Sequence, residues 1–190
     1  MKTPSPVLEA LARRYERSQA GRRGVASRDV LVLLEDLLAD AGCREGEKRA
    51  VAERQLQDAE SAGLLKRDPV HKRDQANIYQ ILFSPANEAA LYAAIDRVSP
   101  ARSRTALAAQ FAAAMSADVP LRWRDPWRAW CERMRAAALA GQSVAPFDRD
   151  ASQANLSLLD LLPKLLVWEG ESLLRFASCV LCGDSKRLEA

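Results

Sequence analysis

The residue pattern of this 190-residue chain predicts a mainly α-helical protein with one short β-hairpin in its first half. Three observations carry that expectation. Aromatic residues make up only 6% of the chain while alanine is abundant, which favours helix over sheet. Apolar residues recur at three- and four-residue steps along most of the length, and the period shortens only between Leu64 and Phe83. A hydrophobic content of 48% supports one large core or two small ones.

The first helix is expected from about Pro4 to Ser18, with Val7, Leu8, Leu11 and Tyr15 on one face. The Gly21-Arg22-Arg23-Gly24 stretch reads as the loop that ends it. Ser27 then has the short acceptor side chain of an N-cap, and Val30, Leu31, Leu34, Leu37 and Leu38 form the apolar stripe of a second helix stopping at Gly42. A third helix, roughly Glu45 to Ala62, ends at Gly63. Its apolar set, Val51, Leu56 and Ala59, is thin, so one side must face solvent or a partner. Leu64 to Arg67 and Ile78 to Phe83 read as two strands joined by a polar connection.

Three helices followed by a hairpin is the order of a winged helix, here residues 1–84. In that fold the third helix faces the DNA major groove and the hairpin tip touches phosphates or the minor groove. The candidate DNA-binding residues are Lys48, Arg49, Arg54, Gln55 and Gln57 on the third helix, with Arg67, His71, Lys72 and Arg73 on the wing. Residues 85–190 are expected to be helical. Ser84-Pro85, Ser99-Pro100 and Asp125-Pro126 each pair a cap with a helix-starting proline and would open helices at 85–97, 100–117 and 126–140, the last closed by Gly141. An apolar helical stretch from Asn155 is expected to break at Pro163, and in residues 168–181 strand and helix patterns overlap.

Charge is nearly balanced, 28 Lys and Arg against 25 Asp and Glu, too even to establish nucleic-acid binding by itself. Its distribution is uneven: residues 1–30 hold seven basic and three acidic side chains. The third helix carries acids interleaved with its cations, as a solvated face does. Trp127, Trp130 and Met134 share a helix face at core spacing, with arginines around them, which reads as a packing stripe rather than a base-stacking platform. Cys179-x-x-Cys182 lacks the further clustered ligands that a structural zinc needs and reads as two reduced cysteines. Gly183-Asp184-Ser185-Lys186 lacks the glycine spacing of a Walker loop, and neither Ser178 nor Ser185 has a histidine nearby in sequence. No apolar run reaches the roughly 18 residues needed to cross a bilayer. The start, Met1 to Pro6, leads into a charged helix rather than the apolar core of a signal peptide, so a cytoplasmic protein without membrane contact is expected.

The segment from Arg175 through Ser178 to Gly183-Asp184-Ser185-Lys186, Leu188 and Glu189 resembles the R-x-x-S…G-D-S-K-x-L-E stretch of the JetD family, the nuclease subunit of the bacterial Wadjet anti-plasmid defence system. That resemblance implies an N-terminal arm region with winged-helix character, lying ahead of a Toprim domain. It also implies a homodimer that works with an SMC-type ATPase, kleisin and kite subunits and cleaves plasmid DNA with divalent metal. The family's metal-binding Glu and Asp residues match no position here, so no catalytic or metal residue is carried over and no cofactor is expected in this chain. The last nine residues read as a loop, a cap and one turn of helix, so the chain is expected to be the front part of a longer protein. The expected role is therefore non-catalytic: binding or positioning double-stranded DNA, or holding the dimer. A winged-helix transcriptional regulator with a helical dimerisation tail and a purely structural interaction module are the rival readings.

Overall fold

The computed structural model describes residues 5–23, 28–70, 78–168 and 174–183, and they divide into two compact units, Met1–Arg102 and Ser103–Ala190. The fold is mainly helical, with one small three-stranded antiparallel sheet among the described residues.

The first unit begins with α1 (Pro6–Arg17), opened by Ser5, whose hydroxyl accepts from the Leu8 N–H at 3.4 Å. A short helix α2 (Gln19–Arg23) follows directly, so the front of the glycine-arginine stretch is helical rather than looped. Gly21 is required there, because a Cβ on it would lie 2.1 Å from the Tyr15 carbonyl oxygen. Ser27, the expected cap, lies outside the described residues. The expected second helix is corrected: Val30–Leu33 is a strand, β1, and only Leu34–Asp40 is helix, α3. Val30-Leu31-Val32-Leu33 is stiff and β-prone, and the edge it joins is some fifty residues further along the chain. Helix α4 (Gly46–Ser61) ends in a Schellman motif, Gly63 at φ 71° with the Leu64 N–H bonded to the Ala59 carbonyl at 2.9 Å.

Strands β2 (Lys66–Pro69) and β3 (Tyr79–Phe83) form the hairpin, and β3 is central in the order β1-β3-β2. Register places Val32 opposite Ile81 and Val30 opposite Phe83, putting Val32, Ile81 and Phe83 on the core side. That core joins Val7, Leu11 and Tyr15 of α1, Leu37 and Leu38 of α3, and Leu56 of α4. After a 3₁₀ turn at Pro85–Asn87, α5 (Glu88–Ala94) adds Leu91 and Tyr92, so the first unit takes in residues beyond 84. Buried Glu88 fixes this junction, accepting from the Tyr15 hydroxyl at 2.5 Å and from the Ala101 N–H at 2.7 Å. Alongside it, Glu16 accepts from the Tyr92 hydroxyl at 2.8 Å and from Arg97 at 3.0 Å. Burial and the adjoining Glu16 carboxylate push the Tyr92 phenol well above its ordinary range.

From α6 (Pro100–Ala114) the chain passes into the second unit, which holds α7 (Leu121–Leu139), α8 (Ser152–Val167) and α9 (Leu174–Cys182). Two expected breaks are corrected. Helix α7 starts five residues ahead of Pro126, and α8 runs on through Pro163. Each proline forfeits one helical hydrogen bond, and for α8 the burial of Leu159 and Pro163, with Leu158 and Leu162 packed around them, offsets that loss. Phe111 of α6 meets Phe147 edge-on at 4.9 Å and Trp130 at 5.9 Å. Trp127 stacks on Trp130 at 5.1 Å and donates its indole N–H to the Ala114 carbonyl at 2.8 Å, so the tryptophan stripe packs inward. Asp184 to Ala190, the expected terminal turn of helix, lie outside the described residues.

Candidate nucleic-acid interface

The third-helix candidates all lie on α4, whose buried side is Ala52, Leu56 and Ala59. Spacing along the helix puts Glu47, Val51, Arg54, Gln57, Asp58 and Ser61 on the opposite side, and all six are exposed. Arg54 and Gln57 therefore point outward, with Glu47 and Asp58 flanking Arg54 on the same face. Lys48 is exposed at the side of the helix, where it borders a cleft of about 350 Å³ lined by Pro6, Ala41, Val51 and Gln55.

Two candidates are committed to the fold. Arg49 grips Glu35 of α3 with both terminal nitrogens, at 2.6 and 3.0 Å, and its Nε donates to Glu53 at 2.8 Å. The Arg49 hydrogen bonds hold the Glu35 carboxyl below the usual carboxylate range, and the two carboxylates raise the guanidinium in turn. On β2, Arg67 gives its backbone N–H and its Nε to Glu60 at 2.9 and 2.6 Å. Those two bonds lower the Glu60 carboxyl. Both arginines thus clamp α4 to its neighbours, α3 on one side and the hairpin on the other.

Gln55 has a structural contact as well, its Oε1 accepting from the Ser5 hydroxyl at 2.5 Å, which ties α4 to the cap of α1. His71, Lys72 and Arg73 lie outside the described residues; the Val70 N–H bonds the Ile78 carbonyl at 2.7 Å. Of the nine candidates the structure brings Lys48, Arg54 and Gln57 to the surface with no ion pair among the described residues. Arg44 and Lys66, which were not candidates, are exposed cations near the ends of the same elements. Their signal in the sequence was position alone: Arg44 just ahead of the helix and Lys66 at the first residue of a strand.

Cys43 is buried in the first unit and Cys131 in the second, while Cys179 is exposed on α9. Among the described residues no helix is long and apolar enough to cross a membrane. Comparison with known families, curated proteins and solved structures gives no match, so any functional reading rests on the residues of this chain themselves.

Proposed function

We propose that the first unit is a winged helix which contacts the backbone of double-stranded DNA and positions it without cutting it, as the N-terminal region of a JetD-like protein of an anti-plasmid defence system. The observation that carries this reading is the threading helix–strand–helix–helix–strand–strand, with the short α2 appended to the first helix, β3 between β1 and β2, and α4 ahead of the hairpin. In a winged helix those are the positions of the recognition helix and the wing. The contact set is Lys48, Arg54 and Gln57, together with His71, Lys72 and Arg73 from the sequence between β2 and β3. Homodimerisation, a cytoplasmic location and service to an SMC-type ATPase with kleisin and kite subunits belong to the same proposal.

Arg49 and Arg67 are left out of the contact set, because drawing either to a phosphate would break a carboxylate pair that holds α4 in place. Lys48→Ala and Arg54→Ala should each weaken binding to any duplex and lower the dependence of log K on log salt by about one unit. Fluorescence anisotropy over a salt series measures both. Binding that ignores salt, or that neither variant changes, would favour a second reading, a protein-docking module. That reading draws on the α4 outer face, where one cation sits between two acids and Val51 is half exposed beside the cleft.

A further inference from the structure

The richest cationic surface among the described residues is on α7, in the second unit. This helix carries Arg122, Arg124, Arg128, Arg133 and Arg135 against Asp125 and Glu132, whereas α4 carries three cations against four acids. One side of α7 is committed to the core through Trp127, Cys131 and Ala138. Its outward arc is edged by two rows of arginine, with Arg124, Arg128 and Arg135 on one flank and Arg122 and Arg133 on the other. Exposed Ala129 and Ala136 lie between the rows and keep that strip low, and the exposed acids Asp125 and Glu132 share it, Glu132 being bonded by Arg135.

Arg135 bonds Glu132 at 3.0 Å, and Arg122 has an interaction of its own. Arg124, Arg128 and Arg133 are exposed and make no ion pair among the described residues. Arg124 and Arg128 are about 6 Å apart along the axis, at the 1.5 Å rise of a helix. Each guanidinium presents a planar fork suited to two phosphate oxygens. The ligand implied is a polymer bearing regular phosphates. Unpaired bases would need open aromatic platforms, and two of the three tryptophans here, Trp127 and Trp130, are packed into the second unit.

The geometry points to the outward face of α7 as a second contact surface for duplex DNA, with Arg124, Arg128 and Arg133 as its phosphate ligands. The identity of the polyanion rests on the DNA reading of the first unit; the surface itself does not.

The test is anisotropy of a labelled random-sequence duplex with the full chain, over a potassium chloride series. The combined variant Arg124→Gln, Arg128→Gln and Arg133→Gln should lose about 2.7 units of salt slope, near 0.9 for each phosphate contact. Arg→Lys at the same three positions should keep most of that slope, since the charge stays. Circular dichroism should show the helix unchanged in both variants. Unchanged slope in the glutamine variant overturns the assignment, as does equal competition by polyglutamate. Lys48→Ala with Arg54→Ala, measured in parallel, separates the two readings. Loss in that variant alone leaves the first unit's reading standing and removes this one. Loss in the α7 variant alone does the reverse, and absence of any duplex binding removes both.

Discussion

Replacing Tyr15 by Phe removes one oxygen from the middle of the first unit and leaves everything else in place. The ring is buried and meets Phe83 edge-on at 5.3 Å, a contact that Phe keeps. What goes is the 2.5 Å hydrogen bond to Glu88, leaving a buried carboxylate oxygen without that donor while its other oxygen still accepts from the Ala101 N–H. A hydrogen bond to a charged acceptor contributes about 1.5–3 kcal/mol, and a buried acceptor that loses its donor costs a similar amount. The expected loss is about 2 kcal/mol, which for a unit of this size lowers the melting midpoint by about 8–16 °C. Calorimetry and urea unfolding should agree, with the urea slope unchanged because no surface is newly exposed. In a Glu88→Gln background the same substitution should cost less, the difference being the coupling of the pair. A midpoint within about 2 °C of wild type would refute the claim that this bond holds α1 to α5.

Arg49→Ala should cost about 0.5–1 kcal/mol at neutral pH and low salt, the range of a partly exposed network, without altering the salt slope of DNA binding. Because Arg49 holds the Glu35 carboxyl low, the stability it gives is present above the unfolded carboxyl value of about 4.3 and is lost as the pH falls through the depressed folded value. Urea midpoints of the two proteins should therefore converge in acid; a gap that widens there would contradict the pairing. Burial pushes the Cys131 thiol up to about 11. Iodoacetamide at neutral pH should accordingly label exposed Cys179 and spare Cys131 until the second unit unfolds, as peptide mass spectrometry would record. Early labelling of Cys131 would show that α7 opens readily.

The helix ends were legible because glycine is a local signal. Gly42, Gly63 and Gly141 each sit at positive φ directly after a helix, where the sequence placed a stop. The inward face of Trp127, Trp130 and Met134 was legible for a similar reason, since three- and four-residue spacing needs no distant partner. Strand β1 was not. Val30, Leu31, Leu34, Leu37 and Leu38 satisfy a helical stripe as well as a strand followed by a helix, and the choice is made by the hydrogen-bonding edge of β3. Prolines misled in the opposite direction: Pro126 reads as a helix start and Pro163 as a break, yet both lie inside helices, and at Pro163 the packing of Leu159 and Leu162 before it and Leu166 after it carries the helix through.

The candidate site divides in the same way. Arg49 has Glu53 four residues on, a pairing visible in the sequence, but its tighter partner Glu35 is delivered by α3. Arg67 meets Glu60 only because the turn at Gly63 folds β2 back on α4. Arg14 with Asp40 at 2.6 Å, and Arg97 with Glu16 at 3.0 Å, repeat the arrangement between other elements. In a chain with 25 acids for 28 bases, most cations within reach of a fixed carboxylate become clamps, whatever their place on a helix. What marks a surface for a polyanion is then the position of the acids. Arg124 and Arg133 have none at three or four residues in either direction. Arg128 has Asp125 and Glu132 at those steps, and Glu132 is held by Arg135. Arg54 has Asp58 four residues on. By this measure α7 offers phosphates the less screened surface, and the salt slope lost per substituted residue should be larger in its variant than in the α4 variant.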